Sequence, residues 1–123
     1  MFTIKVKTEF SAAHALRDYP GDCARVHGHN WKVQAEIQTK QLNTIGIGID
    51  FKDVKKAMGE IIGILDHQYI NEIPPFDSIN PTAENVVQWI FEQMDQQISD
   101  QNTSLVAMTI WETDRSSVTY TKS

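Results

Sequence analysis

The sequence contains one cysteine, Cys23, among its 123 residues. An intrachain disulfide is therefore excluded, and the thiol is left to chemistry, metal binding or packing. Long hydrophobic runs are also absent, since none approaches the ~18 residues that a membrane-spanning helix needs. Residues 1–7 alternate apolar side chains with polar or charged ones and lack the apolar block of a signal peptide. These absences predict a soluble, cytoplasmic protein.

Basic residues are in deficit, with 11 Lys and Arg against 16 Asp and Glu, a net charge of −5 and an isoelectric point near 5.2. This balance argues against bulk electrostatic binding to nucleic acid or to an anionic membrane. An anionic ligand would need a local basic cluster. With 41% hydrophobic residues the chain can bury one core but is too short for two ordinary domains. We therefore predict a single domain over residues 1–123.

Apolar side chains alternate with polar ones at the start of the chain. This pattern predicts a strand over about Phe2–Phe10 and a second over Trp31–Ile37, where the odd positions are apolar. Residues 41–44 favour a hairpin turn into a third strand, Ile45–Ile49, which its two glycines weaken.

Apolar residues at three- and four-residue steps then predict two helices. Asp50 caps the first, which ends near Leu65, and Thr82 caps the second. Two strands, Leu105–Glu112 and Ser117–Thr121, follow and are joined by a tight turn. Three strands, two helices and two strands with hairpin links predict an antiparallel α+β fold with the helices on one sheet face.

Three of the four histidines, His14, His27 and His29, lie within sixteen residues. Because successive side chains of a strand alternate faces, His27 and His29 point the same way, ~6–7 Å apart, and can share an ion with His14 of the neighbouring strand. Three imidazoles leave one tetrahedral position of Zn²⁺ open, as in catalytic sites. Two alternatives stay open: ordinary surface or core histidines, and a closed structural Cys-His₃ zinc site that includes Cys23.

A carboxylate ends the strand predicted over Leu105–Glu112. Val106, Met108 and Ile110 form its even-numbered apolar row, and Glu112 continues that row. The side chain is therefore predicted on the buried side of the sheet, where a carboxylate requires a partner.

Six short segments together resemble the motifs of one enzyme family, in order and in spacing. They are Phe10–His14, Cys23–His29, Ile49–Phe51, Leu65–Asn71, Asn80–Glu84 and Glu112–Thr113. The family is that of the 6-pyruvoyltetrahydropterin synthases, and the resemblance covers nearly the whole chain. Three residues separate Cys23 from His27, which is similar to the 6-carboxytetrahydropterin synthase branch of queuosine and 7-deazaguanine biosynthesis. Gln68 and Trp111 depart mildly from the family pattern.

The resemblance implies the tunnelling fold, in which sheets join into an oligomeric barrel, usually a hexamer. It also implies a zinc-dependent lyase that converts 7,8-dihydroneopterin triphosphate to 6-carboxy-5,6,7,8-tetrahydropterin and releases triphosphate and acetaldehyde. The alternatives are the 6-pyruvoyl activity on the same substrate, a non-catalytic zinc-stabilised pterin-binding module, and a dihydroneopterin aldolase. Metal-free aldolases give no reason for the three histidines.

The resemblance further implies a role for each residue of the metal site. His14, His27 and His29 would hold zinc, which would bind the substrate hydroxyls as a Lewis acid. Cys23 would act as the base that removes a proton from carbon.

Other residues are implied to act around the substrate. Asp66 and His67 would relay protons on its opposite side. Glu112 would accept paired hydrogen bonds from the pterin, and Glu84 is a weaker candidate for substrate binding. As helix-end charges, Asp66, His67 and Glu84 have simple structural explanations too. For the triphosphate, position and charge suggest Arg25, with Arg17 and Lys7 as further candidates.

Overall fold

The computed structural model describes residues 1–122 as a five-stranded sheet with two α-helices. Its elements are β1 (Phe2–His14), β2 (His27–Thr39), α1 (Phe51–Ile62), β3 (Gln68–Tyr69), α2 (Ala83–Ile98), β4 (Thr103–Thr113) and β5 (Ser116–Thr121), with 3₁₀ turns at Asp22–Ala24 and Ile70–Glu72. Across the sheet the strand order is β3-β1-β2-β4-β5. Strand β3 runs parallel to β1, and every other pair is antiparallel. The predicted α+β class is confirmed.

The core lies on the sheet face that the helices cover. Val6 of β1 pairs with Ala35 of β2, and Phe10 pairs with Trp31, so the buried side chains of both strands point the same way. The apolar sides of α1 and α2 pack onto this face in one continuous cluster. Each large apolar side chain that is fully buried contributes about 1.5–3 kcal/mol to stability. Packing on this face therefore holds the two helices against the sheet.

Both helices begin where the sequence predicts. The Asp50 side chain accepts a hydrogen bond from the Lys52 N–H at 2.8 Å, and the Thr82 hydroxyl accepts one from the Asn85 N–H at 3.2 Å. Helix α1 ends at Ile62 and not near Leu65. The following turns keep Leu65 buried through a bond from its N–H to the Ile62 carbonyl, which explains why the helical spacing extends past the helix.

The third predicted strand, Ile45–Ile49, is wrong. The segment is a loop in which Asn43 Oδ1 accepts hydrogen bonds from the N–H groups of Ile45 and Ile47, at 3.1 and 3.0 Å. Gly46 adopts a positive φ of 83°, a conformation that interrupts an extended strand. The third strand is instead Gln68–Tyr69, on the outer edge of β1. Within residues 1–122, no helix is long and apolar enough to span a membrane.

A bulge in β4 changes the predicted inward row. Leu105 pairs with Ile37 and Ala107 with Glu36, so Val106 is an extra residue between them. The expectation that Val106 lies in the buried row is therefore wrong, and Leu105 takes that place. Beyond the bulge, Met108 and Ile110 lie in the core as predicted.

Candidate metal centre and active site

The ends of β1 and β2 bring three histidines together. Strand β1 does not stop near Phe10 but continues to His14, which pairs with His27, while His29 lies opposite Ala12. The three side chains thus share the sheet face of the core, at its end. Their ligand nitrogens all lie within 4.8 Å of one another. This is the convergence that the sequence predicts for a metal site.

Trp31 packs against the core side of this histidine cluster. Its ring is fully buried, and its centroid lies 4.8 Å from that of His14 and 5.1 Å from that of His29. The indole N–H donates to the Ala12 carbonyl at 3.2 Å, and Phe10 stacks on the ring with a centroid distance of 5.9 Å. The buried Trp31 ring therefore fills the space on the core side of the imidazoles.

Hydrogen bonds determine which ring nitrogen of His14 and of His27 carries the proton. His14 Nδ1 lies 2.8 Å from the Pro81 carbonyl, and His27 Nδ1 lies 2.8 Å from the Arg25 carbonyl. A carbonyl only accepts, so each Nδ1 carries the proton and each Nε2 presents a lone pair. Such second partners are usual for metal-bound histidines.

Two buried nitrogens fit a metal ion. Among residues 1–122, His14 Nε2 and His29 Nε2 are buried without a hydrogen-bond partner. Leaving a polar atom buried and unsatisfied costs about 1–3 kcal/mol. A cation held by the three imidazoles would satisfy these atoms, so the residues present fit the metal.

Burial also keeps the rings in their ligand form. It lowers the pKa of His14 to about 4, against the raising effect of the bond to Pro81, with further lowering by His27 and His29. Burial likewise lowers the pKa of His29, although the nearby Glu112 carboxylate opposes this shift. Both imidazoles are therefore neutral at physiological pH, as metal binding requires.

Cys23 lies outside the histidine cluster. Within the described chain, the group of ligand atoms consists of the three imidazoles, which does not support the closed Cys-His₃ alternative. The thiol is exposed on the 3₁₀ turn Asp22–Ala24. The Cys23 carbonyl accepts a 2.8 Å hydrogen bond from the Leu16 N–H, which ties this turn to the end of β1, next to His14.

Glu112 stands beside the cluster on β4. It continues the row of Met108 and Ile110, and its Oε2 lies 3.5 Å from His29 Nε2 with the side chain 31% exposed. The predicted face is therefore correct, and His29 lies close to the carboxylate without a hydrogen bond between them. Glu112 and His29 also border a cavity of about 410 Å³, whose other lining residues include Glu9, Asn30 and Lys32 of the sheet face opposite the core. A larger cavity, about 590 Å³, contains none of the predicted site residues.

Asp66 and His67 form a pair on the outer edge of β1. Their side chains meet, with His67 Nδ1 3.0 Å from Asp66 Oδ1. The Ser11 N–H donates to Asp66 at 2.9 Å and is the main cause that lowers the pKa of that carboxyl. His67 has a positive φ of 58° and a side chain 81% exposed, in contrast to the buried His14. Within a single chain, this pair therefore lies outside the histidine cluster.

The charged candidates for substrate binding lie in different surroundings. Glu84 and Arg25 are exposed, in the first turn of α2 and after the 3₁₀ turn of Cys23. Lys7 lies 4.3 Å above the Trp111 ring, on the sheet face opposite the core. The Arg17 guanidinium donates to backbone carbonyls of the loop before α2.

Sequence reasoning missed the carbonyl partners of the rings. Pro81, which holds His14, is 67 residues away in sequence. Its only local signal is its position just before the Thr82 helix cap.

The comparisons with known proteins agree with this fold. Residues 3–123 match the family described as 6-pyruvoyl tetrahydropterin synthase. The 6-carboxy-5,6,7,8-tetrahydropterin synthase of Synechocystis sp. is 31% identical over 101 residues, covering 78% of this chain and 77% of its own. The protein of that name from Haemophilus influenzae is 29% identical and covers 98% and 99%. The solved structure of Caenorhabditis elegans 6-pyruvoyl tetrahydropterin synthase superposes with a TM-score of 0.89 at 27% identity, over 99% and 96%.

A mainly antiparallel α+β fold with three convergent imidazoles beside a carboxylate defines a class of protein with a candidate metal centre. With the matched range covering nearly all of the sequence, the chain belongs to the 6-pyruvoyl tetrahydropterin synthase family.

Proposed function

We propose that this protein is a zinc-dependent 6-carboxytetrahydropterin synthase. Its substrate would be 7,8-dihydroneopterin triphosphate, and its products 6-carboxy-5,6,7,8-tetrahydropterin, triphosphate and acetaldehyde. The observation that carries this proposal is the three-histidine cluster beside Glu112, in a chain whose relatives include proteins named for this activity. A cytoplasmic location fits a chain whose single cysteine needs no oxidising compartment.

The histidines would hold the metal and the carboxylate would orient the pterin. A Zn²⁺ ion bound by His14, His27 and His29 would supply Lewis-acid stabilisation of oxygen on the substrate side chain. Glu112 presents two acceptor oxygens, which match two neighbouring N–H donors of a pterin ring and would fix its orientation. Its 3.5 Å distance to His29 would place the pterin next to the metal centre.

Proton transfer is assigned to Cys23, Asp66 and His67. The exposed thiol of Cys23, on a turn tied to the residues after His14, would remove a proton from carbon. Asp66 holds His67 Nδ1, so Nε2 of that imidazole is left to exchange protons with a ligand. Since His67 is exposed and outside the cluster, we propose that it acts across an interface between chains.

We also propose a homo-oligomer in which sheets join edge to edge into a barrel, with a hexamer as the expected size. Strand β3 covers only Ala12 and Ala13 on the outer edge of β1, and β5 ends the described sheet on the other side. Open edges of this kind are sites where further strands can pair. Phe2 of β1 and Phe51, which line one cavity, are exposed apolar side chains near the edge of β1.

The function is tested by product analysis. The purified protein with zinc is incubated with 7,8-dihydroneopterin triphosphate, and products are identified by mass. Release of acetaldehyde with the 6-carboxy product supports the proposal, whereas a 6-pyruvoyl product favours that activity, for which the Caenorhabditis elegans neighbour is named. No turnover with bound zinc would favour a binding module. Metal analysis should give about one zinc per chain, lost in the His27→Ala, His29→Ala double variant.

A further inference from the structure

Two asparagine side chains join the segment after β1 to the loop before α2. Asn71 Oδ1 accepts from the Ala15 N–H at 2.9 Å, and its Nδ2 donates to the Ala15 carbonyl at 2.8 Å. Asn80 makes the same two bonds with the backbone of Arg17, at 2.9 and 3.2 Å. Each amide thus pairs with one residue as a neighbouring strand would. The residues that directly follow His14 are therefore held to the loop.

The Arg17 guanidinium organises the rest of this loop. It donates to the carbonyls of Phe76 at 2.7 Å, Ile79 at 3.2 Å and Asn71 at 3.3 Å. A planar guanidinium presents several N–H donors in a fixed arrangement, so one side chain can satisfy three carbonyls at once. Through these bonds the Arg17 side chain stabilises the conformation of the loop.

The loop delivers the carbonyl that holds His14. Pro81 follows Asn80 directly, and its carbonyl lies 2.8 Å from His14 Nδ1. The Asn80 carbonyl accepts from the Thr82 N–H and from Asn85 Nδ2, both at 2.9 Å, so the peptide is also fixed to the start of α2. The direction of the Pro81 carbonyl is thereby set from both sides.

We propose that Arg17, Asn71 and Asn80 are positioning residues of the histidine centre, which hold the Pro81 carbonyl against His14 and aim His14 Nε2 at the metal. This inference rests on the metal site of the proposed function. Loss of a group that orients a metal ligand typically weakens metal affinity about 10- to 100-fold. None of the three residues would touch the metal or the substrate.

The chain offers a matched control for Asn80. Asn102 makes the same pair of bonds with the backbone of Gln41, at 2.9 and 3.1 Å, at the other end of the sheet beside Thr103. Asn80→Ala and Asn102→Ala therefore remove equivalent bonds from equally half-buried side chains. In the metal-stripped full chain, Zn²⁺ affinity is measured by competition with a chromophoric chelator, and the Co²⁺ complex by visible absorption. We expect Asn80→Ala to weaken Zn²⁺ binding about 10- to 100-fold and to alter the Co²⁺ spectrum, with Asn102→Ala within about twofold of wild type.

Equal Zn²⁺ affinities for the two alanine variants would overturn the positioning role. If Asn80→Ala does not fold, Arg17→Met replaces it, because this variant keeps both asparagine pairings; wild-type affinity in it would equally overturn the role. Failure of the metal site itself has a different result. In that case wild-type protein binds no Zn²⁺, or binds it unchanged after the His27→Ala, His29→Ala double substitution.

Discussion

At the scale of single residues, the chemistry of the centre depends on which imidazole nitrogen carries the proton. The carbonyls of Pro81 and Arg25 place it on Nδ1 of His14 and His27. Burial by Trp31 and the core then lowers the pKa of His14, so that the ring is neutral, as metal binding would require.

The thiol of Cys23 is predicted to act in catalysis and not in metal binding. Cys23→Ala should keep its zinc and its melting temperature, because the thiol is exposed and lies outside the histidine cluster. Turnover should fall about 10²- to 10⁴-fold, as for loss of a general base. Zinc content and steady-state rates measure this. Loss of zinc would favour the alternative of a closed Cys-His₃ zinc site. Unchanged turnover would show that the thiol has no catalytic role.

Glu112 is predicted to bind the pterin. In Glu112→Gln an N–H₂ group replaces one acceptor oxygen and opposes a pterin donor, at a cost on the order of 1–3 kcal/mol, about 5- to 150-fold in affinity. Calorimetric titration with a non-reactive pterin measures the affinity, beside thermal melts. Glu60→Gln, on the exposed side of α1, is the control and should change neither. An affinity within twofold of wild type for Glu112→Gln would contradict the assignment.

The histidine centre should make the metal-free protein sensitive to mild acid. The folded-state pKa of His14 is about 4, below its ordinary value of 6.5, so the unfolded chain binds the proton more readily. Its contribution to stability is therefore complete above about pH 6.5 and is lost as the pH falls toward 4, about 2 kcal/mol by pH 5. Urea unfolding of metal-free protein at pH 8 and pH 5 measures this, and His14→Gln should lose less stability over the same range. An equal loss in both proteins would show that His14 is not responsible.

At the scale of elements, two glycines differ in the space around them: Gly48, in the loop between β2 and α1, is closely packed, and Gly59, on the outer side of α1, is not. Gly48 lies against the buried Thr39, and a Cβ at this position would collide with the threonine hydroxyl. Gly59, on the exposed side of α1, has nothing within 4 Å of such a Cβ. The same substitution therefore has opposite expected effects at the two positions.

Gly48→Ala should destabilise the fold and Gly59→Ala should stabilise it. The first forces Thr39 or the loop to move, at about 1–3 kcal/mol, as for other overpacked sites. The second replaces glycine by the best helix former and should add about 0.5–1 kcal/mol. Chemical denaturation of both variants decides the matter. A neutral Gly48→Ala variant would mean that the loop adjusts freely and is not fixed by Thr39.

At the scale of the whole molecule, the sheet keeps two sets of proposed catalytic groups apart. The histidines and Glu112 share the core face at the ends of β1, β2 and β4, whereas Asp66 and His67 lie on the outer edge of β1. His67 is 81% exposed. A site that uses both sets therefore calls for two chains, which the open edges of the sheet allow.

Mixed oligomers test this arrangement. Cys23→Ala and His67→Ala proteins, each inactive alone, are unfolded together, refolded with zinc and assayed. If Cys23 of one chain works with His67 of another, random mixing gives wild-type pairs at about a quarter of the sites and restores a matching share of activity. Refolding each variant alone is the control. Wild-type turnover of His67→Ala alone would remove His67 from the reaction, whereas mixed oligomers of two inactive variants that stay inactive would place both residues in one chain.

The sequence by itself determined the fold class, the caps of both helices and the grouping of the three histidines. These features depend on local patterns, since the alternation around Trp31, the Asp50 and Thr82 side chains and the spacing of His27 and His29 act within a few residues. The motif segments likewise identified the family, which the match over residues 3–123 confirms.

Only the tertiary structure decided the rest, because the contacts involved join distant residues. The bulge at Val106 follows from pairing with β2, and the short third strand exists only because Gln68 meets the edge of β1. The free nitrogen of His14 depends on a carbonyl 67 residues away, which Asn80 and Arg17 hold in place. Alternation and spacing do not report such hydrogen bonds, since they describe which side a residue faces and not what it meets there.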